Sequence, residues 1–154
     1  GDGTFIPLHA PARVSSTLVR DELMKEESVQ DAVKLMNRID VALVGIGYPN
    51  EHSAIKATGY YKENEIESLI SRKAAGELCM QFYDMEGRPE PYVSDNAVIG
   101  MDIHRLCKVP CSVGIAGGKE KLSAIQGAIN GKYINVLITD TECARALLSD
   151  EEEE

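Results

Sequence analysis

Apolar positions along the chain change period several times, and each change predicts an element. In SVQDAVKLMNRI, Val29, Ala32, Val33 and Met36 fall at i, i+3, i+4 and i+7, one face of a helix that Ser28 is placed to cap. DVALVGIG then runs apolar without interruption over a buried strand's length and stops at glycines. NEIESLISRKAAG returns to helical spacing, with Ile66, Leu69 and Ile70 inward, Asn64 and Glu67 spaced as a capping box, and Gly76 as the stop. ELCMQFYD, CSVGIA and YINVLIT read as strands. KEKLSAIQGAIN reads as a helix with Leu122, Ile125 and Ile129 inward and Gly131 at its C-terminal end.

The remaining segments are less regular. TFIPLHA (Thr4 to Ala10) predicts a short strand that Pro7 confines to an edge, and SSTLVRDELMKEE predicts a short helix after a serine cap. MEGRPEPYVSDN is turn and loop by its Gly and Pro content, and MDIHRLCKVP predicts a short helix ending before Pro110. Thr139 and Glu142 have capping-box spacing for a last helix through CARALL. Strands separated by helices of ten or so residues make an α/β fold. The expected architecture is Rossmann-like, a mostly parallel sheet with helices on both faces.

In such a sheet, ligands bind beyond the carboxyl ends of the strands. Two predicted strands end there in glycine, at Gly45 and Gly47 and at Gly117 and Gly118, where backbone N–H groups can approach an anion. Lys119, at the start of the next helix, opposes the helix dipole, and an anionic ligand would account for it. A tight turn followed by a solvated lysine accounts for the same residues, and the spacing does not separate the two readings. The stretch fits neither GxGxxG nor GxxxxGK[ST], which weighs against dinucleotide and Walker-type sites. His9, His52 and His104 are scattered, with no HExxH, no GxSxG and no metal-ligand spacing. Glu77 stands where a helix gives way to a strand, with room to face the crevice, whereas Asp140 is better placed to cap a helix.

Composition narrows the function. The 154 residues carry a net charge of -9, of which the closing DEEEE supplies five units, so even the remainder is acidic and lacks the basic excess of a DNA-gripping surface. The expectation is one domain over residues 1–149 and an acidic, disordered tail over residues 150–154. No apolar run reaches membrane-span length and no signal peptide opens the chain, so a cytoplasmic protein is expected. Cys79, Cys107, Cys111 and Cys143 form no CxxC pair; reduced, mostly buried thiols and no metal site are expected.

LHAPARVSS, DVALVGIG, ATGYY, AAGELCMQFYDMEGRP and, above all, VGIAGGKEKLSAIQGAINGKYINVLITDTECARALL resemble the sugar-binding, effector-sensing domain of SorC-family bacterial transcriptional regulators over nearly the whole chain. The resemblance implies a fold similar to sugar-phosphate isomerases and deaminases, and a phosphorylated sugar as effector. It implies that Lys119, Gly117 and Gly118 meet a phosphate or sugar oxygen, that Glu77 accepts from sugar hydroxyls, and that Gly45 and Gly47 shape the floor. Thr58 and Gly59 would lie near the ligand, with Lys56 or Thr58 the counterpart of a basic residue used by some members. The family's helix-turn-helix and an earlier glycine-rich phosphate loop have no counterpart here, so an N-terminally shortened domain is expected.

The implied function is effector binding and homo-oligomerisation for a regulator that reaches DNA only through a separate domain, with no cofactor, no membrane and no catalysis. The alternative is a sugar-phosphate isomerase or deaminase in which Glu77 or Asp140 is the general base. A dimerisation domain with a vestigial pocket is a third reading.

Overall fold

The structure, a computed structural model, describes residues 2–50, 54–95 and 97–149. His52 and the acidic tail lie outside the described residues. Five strands form one mixed sheet: β1 (Val41–Gly47), β2 (Gly76–Leu78), β3 (Gln81–Tyr83), β4 (Cys111–Ile115) and β5 (Val136–Ile138), in the order β3-β2-β1-β4-β5. β1, β4 and β5 run parallel, Leu43 opposite Val113 and Val113 opposite Val136. β2 is antiparallel to both β1 and β3. The α-helices among the described residues are α1 (Thr17–Leu23), α2 (Glu27–Met36), α3 (Ala54–Ala57), α4 (Glu63–Ser71), α5 (Ile103–Leu106), α6 (Leu122–Asn130) and α7 (Thr141–Ser149).

The main core lies on one face of the sheet. Ala42, Val44 and Ile46 of β1 alternate inward and meet Ile103 and Leu106 of α5, Ala124, Ile125 and Ala128 of α6 and Cys143 of α7. Tyr83 and Tyr133 pack with ring centroids 5.5 Å apart, and both hydroxyls are satisfied: Tyr83 donates to the Ala124 carbonyl at 2.9 Å and Tyr133 to the Gly87 carbonyl at 2.6 Å. A second cluster on the other face joins Ile66 and Leu69 of α4 to Phe82 of β3, Tyr61 and Tyr92. Helices therefore flank both faces, but α4 covers only the antiparallel end of its face.

Several expectations from the sequence are corrected. Thr4 to Ala10 forms no strand: Pro7 lacks an N–H and Phe5 is exposed, and the first pairing comes later, at an isolated bridge between Arg13 and Val98. ELCMQFYD is a hairpin, not one strand, because Cys79 and Met80 take positive φ (52° and 62°) and reverse the chain in two residues. Ser28 lies inside α2, which starts at Glu27. α4 starts at Glu63, where the Glu65 carboxylate accepts from the Lys62 N–H at 2.8 Å; Asn64 is already in its first turn. Ile70 and Ile129 face solvent. α7 is capped by Asp140, whose Oδ1 accepts from the Cys143 N–H at 2.8 Å, and not by Thr139. All four cysteines are free thiols, yet only Cys143 is buried.

Candidate functional site

Gly47 closes β1 and pairs with Glu77 of β2, so this glycine and this carboxylate share one face at the end of the sheet. A Cβ on Gly47 would collide with the Glu77 carboxylate, so the glycine is what makes room for it. Glu77 Oε2 accepts from the Met80 N–H at 2.8 Å, tying the carboxylate to the hairpin turn. Burial pushes the Glu77 carboxyl above its usual value of 4.5, opposed by the Met80 bond and by the nearby Lys121 charge.

Lys121 was not singled out by sequence, where Lys119 took the attention. It is the last residue of a 3-10 turn (Lys119–Lys121) that leads into α6, and its half-buried side chain reaches back across the strand ends, Nζ donating to the Ile46 carbonyl at 3.0 Å. Lys119 points elsewhere: its side chain is 67% exposed and lies 3.6 Å from Glu142. The available signal was the tight turn itself, since two residues on from Lys119 the chain has rotated toward the sheet.

Gly117 and Gly118 follow β4 as expected, and Gly118 takes a φ of 102° that favours glycine. Their surroundings are acidic. The Gly118 N–H donates to Asp140 Oδ2 at 2.6 Å, and the Glu120 carboxylate sits where a Gly118 side chain would be. Asp140 thus serves Gly118 and the start of α7 together, and those backbone bonds, Cys143 first, hold its carboxyl below the usual value of 3.8. The chain's own carboxylate occupies the amide that the sequence had offered to a ligand anion.

Gly45 lies on the same face as Gly47, with open space above it. Lys56 lies in α3, and Thr58 and Gly59 follow on the turn that leads to α4. Lys56 pairs with Glu63 at 2.9 Å, Thr58 Oγ1 accepts weakly from the Tyr60 N–H, and Gly59 has a φ of 73°. This segment is pinned by Arg13, which donates to the Tyr60 carbonyl at 2.7 Å, pairs with Glu65 at 2.8 Å and stacks 4.1 Å over the Tyr61 ring. Tyr61 then donates to the Met80 carbonyl at 3.2 Å, linking the segment to the turn that holds Glu77. Burial raises the Tyr61 hydroxyl to about 12.

Gly47, Glu77 and Lys121 are therefore brought together, the Lys56 to Gly59 segment is joined to them through Tyr61 and Met80, and Gly117, Gly118 and Lys119 belong to the Asp140 side. A cleft of about 710 Å³, lined by Tyr48, Ala75, Glu120 and Ser123 among others, adjoins this end of the sheet without including Glu77. His9 and His104 are exposed. Among the described residues, no group of three or more His, Cys, Asp or Glu is placed to hold a metal, and no helix is long and apolar enough to cross a membrane.

Comparison with known proteins extends the picture. Residues 2–149 match the family described as "Putative sugar-binding domain". The chain is similar to the sorbitol operon regulator of Klebsiella pneumoniae, 34% identical over 138 residues, which are 90% of this chain and 44% of that protein. The crystal structure of the full-length regulator superposes with a TM-score of 0.81, covering 90% of this chain and 45% of that one. The transcriptional regulator LsrR of Escherichia coli K12 is 36% identical over 142 residues, 90% of this chain and 45% of that protein. A solved "Putative Sugar-Binding Domain of Transcriptional Repressor" from Vibrio fischeri has a TM-score of 0.83 at 28% identity, covering 94% of this chain and 58% of that one. The chain spans less than half the length of the curated relatives it matches.

Proposed function

The chain belongs to the sugar-binding domain family of transcriptional regulators, and from that premise we propose that residues 1–149 form an effector-binding domain for a small phosphorylated sugar. The observation that carries the reading is the pairing of opposite chemistries at one sheet end. The Glu77 carboxylate, recessed beside Gly47, offers acceptors to sugar hydroxyls, and the Lys121 ammonium, one of whose three donors goes to the Ile46 carbonyl, offers donors to an anionic group. Gly45 and Gly47 form the floor, and the Lys56, Thr58 and Gly59 segment forms a wall. Gly117, Gly118 and Lys119 take the rim, with Lys121 in place of Lys119 as the principal cation.

Sensing requires that the sugar bind one state of the regulator better than another. The Tyr61 to Met80 link gives a route, since a ligand on Glu77 acts on the turn that also holds the Arg13-pinned segment. The output is read by a DNA-binding domain elsewhere in a cytoplasmic, oligomeric regulator, and no catalysis is involved. The enzyme alternative loses one candidate base: Asp140 is engaged by two backbone amides and held ionised as a helix cap.

Calorimetry against a panel of sugar phosphates tests the proposal. A responding sugar should bind roughly tenfold or more weakly to Lys121→Ala, the loss expected when a hydrogen bond to a charged group is removed. Lys119→Ala, changing an exposed pair, should shift affinity by less than about threefold. The reverse order would reinstate Lys119. Flat responses from this chain and from the same chain embedded in a full-length relative would reject the sensor reading.

A further inference from the structure

The starting ends of the parallel strands, opposite the end that holds Glu77, are basic in a chain whose net charge is -9. Three connections meet there, those entering β1 (37–40), β4 (107–110) and β5 (131–135). They are stapled to one another: Arg105 donates to the Asn37 carbonyl at 2.9 Å, the Cys107 thiol to the Gly131 carbonyl at 3.4 Å, and the Asn135 side-chain amide to the Pro110 carbonyl at 3.0 Å. Arg38, Lys108 and Lys132 are exposed on these connections, Arg105 is half-buried beside them, and Asp40 is the only Asp or Glu that the three connections carry. Among the described residues, no ion pair uses Arg38, Lys108 or Lys132. Burial pushes the Cys107 thiol above its usual 9.0, and the charges of Lys108 and Lys132 pull it back, so both ammonium groups stand near that thiol.

Helix α7 returns the chain to this end. β5 leads away from the basic connections and α7 follows it, with Cys143 buried in the main core and Leu147, one turn on, packed against the same core. Nine helical residues rise about 13 Å, enough to retrace the roughly 10 Å of a three-residue strand. Ser149 therefore lies level with the strand starts, and the five residues after it, Asp150 to Glu154, reach up to about 17 Å when extended. All five are acidic. They follow the C-terminal end of α7, where the helix dipole disfavours negative charge, and they adjoin a domain that stays negative without them, so each effect makes an unpartnered segment destabilising. Arg145 on α7 is one nearby cation, and the basic connections with Arg105 bring four more.

We infer that Arg38, Lys108 and Lys132 form a docking surface for the chain's own acidic segment, Asp150 to Glu154, which lies across the Cys107 thiol. Docked there, the segment neutralises the basic end of the domain and closes it to other polyanions. Exposed pairs of this kind are weak one by one and are screened by salt, so the contact is a salt-dependent one. The inference does not depend on any sugar or on the Glu77 site.

Thermal unfolding of the 154-residue chain beside the same chain ended at Ser149 tests the inference. At about 20 mM salt the shortened chain should unfold roughly 2–4 °C lower, and the difference should shrink below about 1 °C at about 0.5 M salt. Lys108→Gln with Lys132→Gln should lower the Tm of the 154-residue chain by a similar amount and leave that of the shortened chain within about 1 °C. Cys107 supplies a reading that a global change in stability would not confine to one thiol. Its alkylation by iodoacetamide, followed by peptide mass spectrometry, should run about two- to fivefold faster without the segment, because cover and neighbouring negative charge are lost together. Cys79, exposed in the β2–β3 turn, should react at an unchanged rate. A shortened chain with the same or a higher Tm, or with an unchanged Cys107 rate, overturns the inference. So does a fall in Tm that persists at high salt or in the Gln variant, which would put the segment's partner elsewhere, and so does one that depends on protein concentration, since the segment would then dock on a second copy.

Discussion

Glu77 carries a cost that its surroundings only partly offset. Burial disfavours its charge, while the Met80 N–H and Lys121 favour it, and the balance leaves the carboxyl above 4.5. A raised acid pKa means that the folded state holds a proton the unfolded chain has already released, so stability falls as pH rises from 4.5 through the folded value. Glu77→Gln retains an acceptor for Met80 and removes the charge. Thermal unfolding over about pH 4 to 8 should show Tm at pH 7 unchanged or higher, with a flatter decline above the carboxylate range. A lower Tm at pH 7 would mean that Lys121 makes the charge net stabilising. Glu77 was legible as a candidate because it stands at a helix-to-strand junction, but its partner was not. Lys119 and Lys121 are chemically the same residue two positions apart, and only the 3-10 turn sends one inward and the other to Glu142.

Among the elements, the long periodic helices and the parallel strands were legible, β5 included at three residues, and the antiparallel hairpin was not. Val29 and Ala32, Ile66 and Leu69, and Ile125 all face inward as their spacing predicts. The β2–β3 hairpin was hidden because its turn uses Cys79 and Met80 where Asn-Gly would have announced it. α6 shows how tertiary packing overrides local preference. Gly127 in mid-helix should gain about 1 kcal/mol from alanine by propensity alone. An added Cβ, however, would lie 2.6 Å from the Asp84 carbonyl oxygen and 2.9 Å from the Tyr83 ring. Overpacking of this kind costs about 1–3 kcal/mol, and backbone on one side leaves little room to yield. Gly127→Ala is therefore expected to lower stability in denaturant titration, with an unchanged m-value. A rise in the midpoint would show that α6 shifts outward freely.

On the scale of the whole molecule, hydropathy marked where the sheet is but not how it is covered. DVALVGIG reads as a strand buried on both sides because Val41 and Leu43 are as apolar as Ala42 and Val44, yet the structure buries the second pair and leaves the first exposed. Charge was more informative than hydropathy. The chain carries -9, and without the five acidic residues of its tail it remains negative. Phosphate contacts gain most of their strength from displaced counterions, which only a basic surface can displace. The many acidic side chains on the helices and loops would repel a duplex at every approach. In electrophoretic mobility shifts at about 0.1 M salt, this chain should leave duplex DNA unshifted at concentrations where a sugar phosphate saturates it, with or without the sugar. The result should persist when the salt is lowered, because weaker screening lengthens the reach of a repulsive field as much as of an attractive one. A shift that strengthens at low salt would reveal a basic surface and place DNA contact inside the effector domain itself.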